Sequence, residues 1–343
     1  MNKIGIITRS DNRGLGVQTH EAVRHLDPAK VLVVNIPSEQ PLTLRPERFR
    51  GAHTVNGWPT PNDMAAFLKG FDAVYTAETP YHYSLFSIAE QMGVQTVLHV
   101  NPEFCDKLQR DVPDPTLYLA PTTWLWDELP NPKRLLPFPV DLTRFGLRQM
   151  ADRATHFLHI VGRPAIHDRA GTVELLYALE HVKESVRVTI RCQTKDYVQS
   201  LIKVHGITIP AHVELDVKDE DVYNYWEMYE GQVLVAPRRY GGMSLPMQEA
   251  VANMMPVISL YVEPQRDWLP ADWLVPAVEG LKFPVRTMIQ TYAADVPALA
   301  AKIDQFASDA AYYKAQSYIA ARIADTISWK TLLPQYLEVL SGL

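Results

Sequence analysis

Short β-branched runs alternate with helical spacings from the start of the chain, and this alternation constrains the fold more than any other feature. Residues 4–8 form a continuous apolar run, 19–26 repeat their apolar positions at helical spacing, and 31–36 return to a β-branched run. The order continues with a helix over 61–68, a strand over 73–76, a helix over 85–92, and strands over 95–100 and 117–120. Strands separated by helices pair in parallel, and a parallel sheet is covered on both faces. The alternation stops in the proline-rich segment Leu135-Leu136-Pro137-Phe138-Pro139-Val140-Asp141-Leu142, which reads as a connector between domains. A second series follows, with strands over 157–161, 187–191, 213–215, 232–236 and 256–260. Its predicted helices run over 172–181, 197–205, 221–229 and 246–253. At 343 residues the chain has room for two such domains. Two α/β halves are expected to present the carboxyl ends of their strands to one ligand cleft.

Charge and cysteine content narrow the function classes. Lys plus Arg number 33 against 39 Asp plus Glu, a net charge of -6, so no overall positive field draws the chain to nucleic acid or anionic lipid. The two cysteines, Cys105 and Cys192, are too far apart in sequence to suggest a disulfide framework or a zinc-ligand pair. No apolar run reaches the roughly 18 residues of a membrane span. These features set the expectation of a soluble cytoplasmic protein.

Three segments carry residue types suited to an anionic ligand. In Arg13-Gly14-Leu15-Gly16-Val17-Gln18-Thr19, two glycines precede a predicted helix, whose amides and dipole favour an anion. The alternative is a turn whose glycines need positive φ. Thr19 and Asn35 stand where a dinucleotide fingerprint needs a small residue and an acid, which weakens that reading. After the strand ending near Val161, the loop Gly162-Arg163-Pro164-Ala165-Ile166-His167-Asp168-Arg169-Ala170-Gly171 holds two arginines six positions apart. Their planar donor forks suit a diphosphate, although a solvated salt bridge is an equal alternative. In Pro237-Arg238-Arg239-Tyr240-Gly241-Gly242-Met243-Ser244-Leu245-Pro246-Met247-Gln248-Glu249-Ala250, glycines permit close ligand approach. There Ser244 is placed to cap a helix and Pro246 fits its first turn. Glu249 then lies about a turn inside, where a carboxylate accepts hydrogen bonds from a diol; an exposed helical Glu is the plainer reading.

Taken together, these segments resemble the retaining nucleotide-sugar glycosyltransferases of the GT-B fold, most closely family four, the group 1 glycosyl transferases. The resemblance is collinear over nearly the whole chain. Leu136 to Phe145 is similar to the family's "IPNGVDLERF" linker, and Val161-Gly162-Arg163 with Arg169 and Gly171 to its "VGR" and "KG". The segment from His212 through Val217 to Tyr229 resembles the part beside the nucleobase. Pro237 to Glu249 aligns without a gap to "PSxxEGFGLPxxEA", and Ile327-Ser328-Trp329-Lys330 resembles the "fsWe" tail. Two departures stand out. The first of the family's paired glutamates falls on Gly241, and Tyr75 and Ala77 stand where histidines are frequent in "DvvHxHxP". Glu78, Tyr81 or His82 are candidates to line that face, with Glu78 favoured because it directly follows a strand, although a loop-capping Glu is an equal alternative.

The resemblance implies an α/β protein of two Rossmann-like domains facing a cleft: an acceptor domain over 1–145, a donor domain over 146–326, and a tail helix over 327–343 returning to the first domain. It implies transfer of a sugar, with retention, from a nucleoside diphosphate sugar of UDP or GDP type to an acceptor hydroxyl. Arg163, Arg169 and Glu78 would be catalytic. Gly14, Gly16, Val217, Gly242, Met243, Ser244, Leu245 and Glu249 would bind the donor. No cofactor is expected. Nor is a metal: Asp219-Glu220-Asp221 imitates a DxD motif, but its expected place at a helix start makes capping the better account. His53, His99, His159 and His167 show no ligand spacing and read as core or surface histidines. A saccharide or small metabolite is the expected acceptor. DNA with hydroxylated bases remains an alternative through Arg45, Arg48 and Arg50, as do a GT-B epimerase, a phosphorylase and a non-catalytic nucleotide-sugar binder.

Overall fold

The computed structural model describes residues 3–36, 44–108, 110–145 and 150–342, and the chain divides into two units. Unit 1 comprises Met1–Pro139, Pro284–Met288 and Trp329–Leu343; unit 2 comprises Val140–Phe283 and Ile289–Ser328. The expected division between 145 and 146 involves residue 146, which lies outside the described residues.

In unit 1 the strands are β1 (Ile4–Thr8), β2 (Lys30–Asn35), β3 (His53–Asn56), β4 (Ala73–Ala77), β5 (Gln95–His99), β6 (Leu117–Ala120) and β7 (Lys133–Leu135). They pair in parallel in the order β3-β2-β1-β4-β5-β6-β7. The sequence reading missed β3 and β7, short edge strands with little apolar content. The helices are α1 (Gly14–Leu26), α2 (Pro61–Leu68) and α3 (Ser84–Gln91). Met64, Phe67, Leu68, Leu85 and Phe86 of α2 and α3 pack in one cluster with Ile7, Leu32 and Val74. Ala22 and Leu26 of α1 pack in another with Ile6 and Tyr75, joined by Trp329, Leu332 and Tyr336 from the C-terminal helix Trp329–Ser341. A fully buried β4 with apolar residues on both faces is what two covering layers require. The strand order reverses between β1 and β4, so the loops following these two strands diverge there and open a crevice at their carboxyl ends.

Of the histidines read as core or surface residues, His53 and His167 are exposed and His99 is a core residue. It is fully buried, its Nε2–H donates to the Leu136 carbonyl at 2.9 Å, and its Nδ1 accepts from the Tyr75 hydroxyl at 3.0 Å. Burial pushes its pKa down to about 3, so the ring is neutral.

In unit 2 the strands are β8 (His156–Gly162), β9 (Val186–Cys192), β10 (Val213–Lys218), β11 (Val233–Val235), β12 (Val257–Leu260) and β13 (Leu274–Val275), in the parallel order β10-β9-β8-β11-β12-β13. Its helices are α4 (Thr172–Leu179), α5 (Tyr197–His205), α6 (Leu245–Ala252), α7 (Gln265–Trp268), α8 (Val296–Ser308) and α9 (Ala310–Thr326), and α10 is the tail helix of unit 1. Strands β14 (Ala277–Pro284) and β15 (Met288–Ala294) form a separate two-stranded sheet that the sequence reading did not anticipate. A single core runs from Phe157 and Leu158 through Leu175, Val188, Val235 and Met247 to Trp273 and Phe306. The reversal of order lies between β8 and β11, so the segments after those two strands share one crevice.

Both sheets with their helices make the chain α/β, and two corrections to the sequence reading follow. The helix expected over 221–229 is absent; only a 3-10 turn, Tyr225–Met228, forms there. This stretch is rich in aromatic residues of modest helix propensity, Tyr223, Tyr225, Trp226 and Tyr229. Its backbone is set by burial of Tyr225 and Tyr229 against Phe145, and by Asn253 Nδ2 donating to the Tyr229 carbonyl at 2.8 Å. Asp219-Glu220-Asp221 therefore starts no helix, and the capping account of these acids fails. Asp221 Oδ1 instead accepts from Gln193 Nε2 at 3.0 Å.

Candidate functional site

The loop after β8 is shaped by left-handed backbone. Gly162, His167, Asp168 and Gly171 all have positive φ, which glycine adopts freely and His and Asp only at a cost. Asp168 caps α4, its Oδ2 accepting from the Val173 amide at 2.8 Å. Gly171 is fixed by contact as well as by φ, since a Cβ there would lie 2.1 Å from the Pro237 carbonyl oxygen. That closeness presses the loop after β8 against the loop after β11.

Further bonds stitch the two loops together. The Arg239 amide donates to the Arg169 carbonyl at 3.0 Å, Arg239 Nη1 to the His167 carbonyl at 3.0 Å, and the Tyr240 hydroxyl to the Ile166 carbonyl at 2.7 Å. Phe283 packs edge-on against both His167 and Tyr240. Arg163 and Arg169, both half-buried, therefore sit in a loop held against Pro237 to Ser244 at the β8/β11 switch point. Arg239 has no role assigned by the sequence pattern. Its Nε also donates to the Tyr292 carbonyl at 2.9 Å and pairs with Glu174 Oε1 at 3.0 Å, so it braces the arginine loop, α4 and β15 at once.

Glu174 is 8 % exposed and its Oε2 has no hydrogen-bond partner among the described residues. Burial raises its pKa to about 7, with Arg239 pulling it the other way. His159 donates from Nδ1 to the Val235 carbonyl at 2.7 Å and accepts at Nε2 from the Thr172 hydroxyl at 3.1 Å. Burial lowers its pKa, so this ring too is a neutral structural element.

Helix α6 begins at Leu245, one residue before the expected start at 246, with Pro246 in its first turn and Ser244 at the N-cap. The Ser244 hydroxyl makes no capping bond; its carbonyl instead accepts from the Met247 and Gln248 amides at 3.0 and 3.1 Å. Gly242, Met243 and Ser244 are buried ahead of this helix end. Glu249 is not the exposed helical Glu of the plainer reading. It is 2 % exposed and accepts a hydrogen bond from the Tyr229 hydroxyl, whose own pKa is raised first by burial and then by this carboxylate. Tyr229 thus orients the Glu249 carboxylate. Val217 lies near the carboxyl end of β10, half-buried and paired with Ile190.

The remaining candidates belong to unit 1. Gly14 and Gly16 lie within the first turn of α1 rather than before it, and neither is among the positive-φ residues. The turn explanation for these glycines is therefore overturned. Gly16 instead allows close approach, because a Cβ would lie 2.0 Å from the Asp11 carbonyl oxygen. No side chain caps this helix at Arg13. Glu78 follows β4 with φ 63, its amide donating to the His99 carbonyl at 2.8 Å and its Oε2 accepting from Asn101 Nδ2 at 3.0 Å.

No protein-family model matches the chain, and no curated protein matches it in sequence. Solved structures do match over its length. HepE of Anabaena, solved with UDP, superposes with a TM-score of 0.70 at 12% identity, covering 100% of both chains. Sucrose-phosphate synthase from Thermosynechococcus elongatus gives 0.66 at 14% identity, covering 100% of this chain and 99% of that one. A glycosyltransferase from Rickettsia africae gives 0.67 at 13% identity, covering 99% and 97%. The fold is that of the GT-B glycosyltransferases.

Proposed function

From this fold we infer that the chain is a retaining, metal-independent hexosyltransferase that moves a sugar from a nucleoside diphosphate sugar to the hydroxyl of a saccharide or small metabolite. The observation carrying this reading is the pairing, at one switch point of unit 2, of the Arg163 and Arg169 loop with the helix end that leads to the buried, oriented Glu249. HepE has been solved with UDP and with UDP-glucose, which makes a UDP-sugar the first donor to try.

In this reading Arg163 and Arg169 neutralise charge that develops on the departing diphosphate. Fixed donors in a partly dry site do this with little reorganisation. The α6 N-terminus adds its dipole through the backbone of Gly242 to Leu245. Glu249 accepts from the ribose hydroxyls, held in position by Tyr229, while Val217 borders the base. With Gly241 in place of a carboxylate, that position supplies no side-chain acceptor to the donor sugar. The leaving phosphate oxygen takes the acceptor proton on the face it vacates, which gives retention without a strong protein base. Glu78 belongs to the acceptor side.

The test is mass spectrometry of products after incubating the protein with pooled UDP- and GDP-sugars, pooled saccharide and metabolite acceptors, and excess chelator. A glycosylated acceptor, whose anomeric proton coupling in NMR shows the donor's configuration retained, supports the proposal. Conversion of donor without acceptor would assign an epimerase instead. Loss of product on chelation would remove the metal-independent mechanism.

A further inference from the structure

The loop that carries Arg163 and Arg169 does little to hold its own shape. Ile166 in its middle is 60 % exposed and His167 is exposed beside it, so burial does not fix this stretch. His167 and Asp168 follow one another in left-handed backbone, φ 55 and 46. Side chains adopt that conformation at a cost and keep it only where the surroundings over-determine it.

The restraint comes from outside the loop, and most of it from one residue. Arg239 donates from Nη1 to the His167 carbonyl at 3.0 Å, at the first of the two left-handed positions. Its amide donates to the Arg169 carbonyl at 3.0 Å, and the hydroxyl of the next residue, Tyr240, to the Ile166 carbonyl at 2.7 Å. The carbonyls of Ile166, His167 and Arg169 are thus tied to two consecutive residues after β11.

Arg239 is itself fixed from the other side. Its Nε donates to the Tyr292 carbonyl at 2.9 Å and faces Glu174 Oε1 at 3.0 Å, while its own carbonyl accepts from the Tyr292 amide at 2.9 Å. The guanidinium spans from β15 and α4 to the arginine loop, a reach that uses separate nitrogens of its planar fork. With Nε and Nη1 both engaged inside the protein, Arg239 acts through Arg163 and Arg169 and not on a ligand.

We propose that Arg239 is a positioning residue for the diphosphate: it holds the loop over 162–171 in the shape that aims Arg163 and Arg169 at the phosphates, and Glu174 and Tyr292 hold Arg239 in turn. This proposal rests on the transferase reading and adds to it a residue outside the ligand-contacting set. A loop that loses its restraint keeps the competent shape for only part of the time, and apparent affinity falls by that fraction.

The experiment is calorimetry of UDP and GDP on the full chain, comparing wild type with Arg239→Lys and Tyr240→Phe, joined by saturation-transfer NMR of the matching nucleoside, uridine or guanosine. Lysine keeps a cation beside Glu174, but a single ammonium nitrogen cannot take the places of both Nε and Nη1. Tyr240→Phe removes one hydroxyl and decides the matter if the lysine variant does not fold. Affinity for the nucleoside diphosphate should fall about tenfold in Arg239→Lys and about threefold in Tyr240→Phe, as for loops competent about a tenth and a third of the time. The nucleoside, which has no phosphates, should bind all three proteins alike; a general loosening of unit 2 would weaken it too. Unchanged diphosphate affinity in Arg239→Lys, or in Tyr240→Phe where the lysine variant does not fold, overturns the proposal, as does an equal loss for the nucleoside. These results leave the transferase reading standing. Failure of both UDP and GDP to bind wild type removes that reading, and this proposal with it.

Discussion

Replacing Glu174 with Gln isolates one buried carboxylate and tests the electrostatics of the brace beneath the arginine loop. In the folded chain burial holds the Glu174 pKa at about 7 against an ordinary value of 4.5. Between these two pH values the folded state keeps a proton that the unfolded state has released. Stability therefore falls as pH rises through the window, by about 1.4 kcal/mol per pH unit for one proton. Across the gap between 4.5 and about 7, the loss is on the order of 3 kcal/mol. Gln cannot ionise and has nearly the same shape, so the contribution disappears in the variant. Chemical denaturation of both proteins at pH 5 and pH 8 cancels every other titrating group when the difference is taken. Glu174→Gln should gain stability relative to wild type on going from pH 5 to pH 8. A difference that does not change with pH, or that favours wild type at pH 8, would show that Arg239 at 3.0 Å compensates the buried charge fully.

Two further outcomes follow from the geometry. Arg163→Ala and Arg169→Ala should each lower turnover by roughly 10²- to 10³-fold at saturating acceptor, the usual loss for one preorganised donor, with circular dichroism unchanged; wild-type rates in both would refute their assignment. Gly171→Ala should destabilise the chain by more than about 1 kcal/mol, since the new Cβ would meet the Pro237 carbonyl 2.1 Å away at a φ of 73; an unchanged melting temperature would show that the two loops separate freely.

The sequence carried the architecture because both sheets are built from short apolar runs separated by amphipathic helices, a pattern visible at the level of residue type. Edge strands such as β3, with His53 and Asn56, lack that pattern and were missed. The helix expected over 221–229 failed for a related reason: its aromatic residues serve packing around Phe145, and that demand appears only when the chain is folded. Within the candidate site, Glu249 and Pro246 were legible because a continuous motif fixes them relative to one helix start. Arg239 was not. Its partners, the His167 and Tyr292 carbonyls and Glu174, are far from it in sequence, and nothing in an Arg-Arg pair announces which one turns inward. Gly16 shows the limit from the other side: the glycine is legible in the sequence, but its cause is a close backbone approach and not a left-handed turn.

The central claim is that unit 2 binds a nucleoside diphosphate through Glu249, and calorimetry of UDP and GDP with the free protein tests it most directly. One of the two nucleotides should bind wild type, and Glu249→Ala should weaken it about 10- to 100-fold, the range for hydrogen bonds to a charged group. Glu78→Ala should leave that affinity unchanged. Absence of binding by either nucleotide, or loss of affinity in Glu78→Ala with Glu249→Ala unaffected, would contradict the account at its most specific motif.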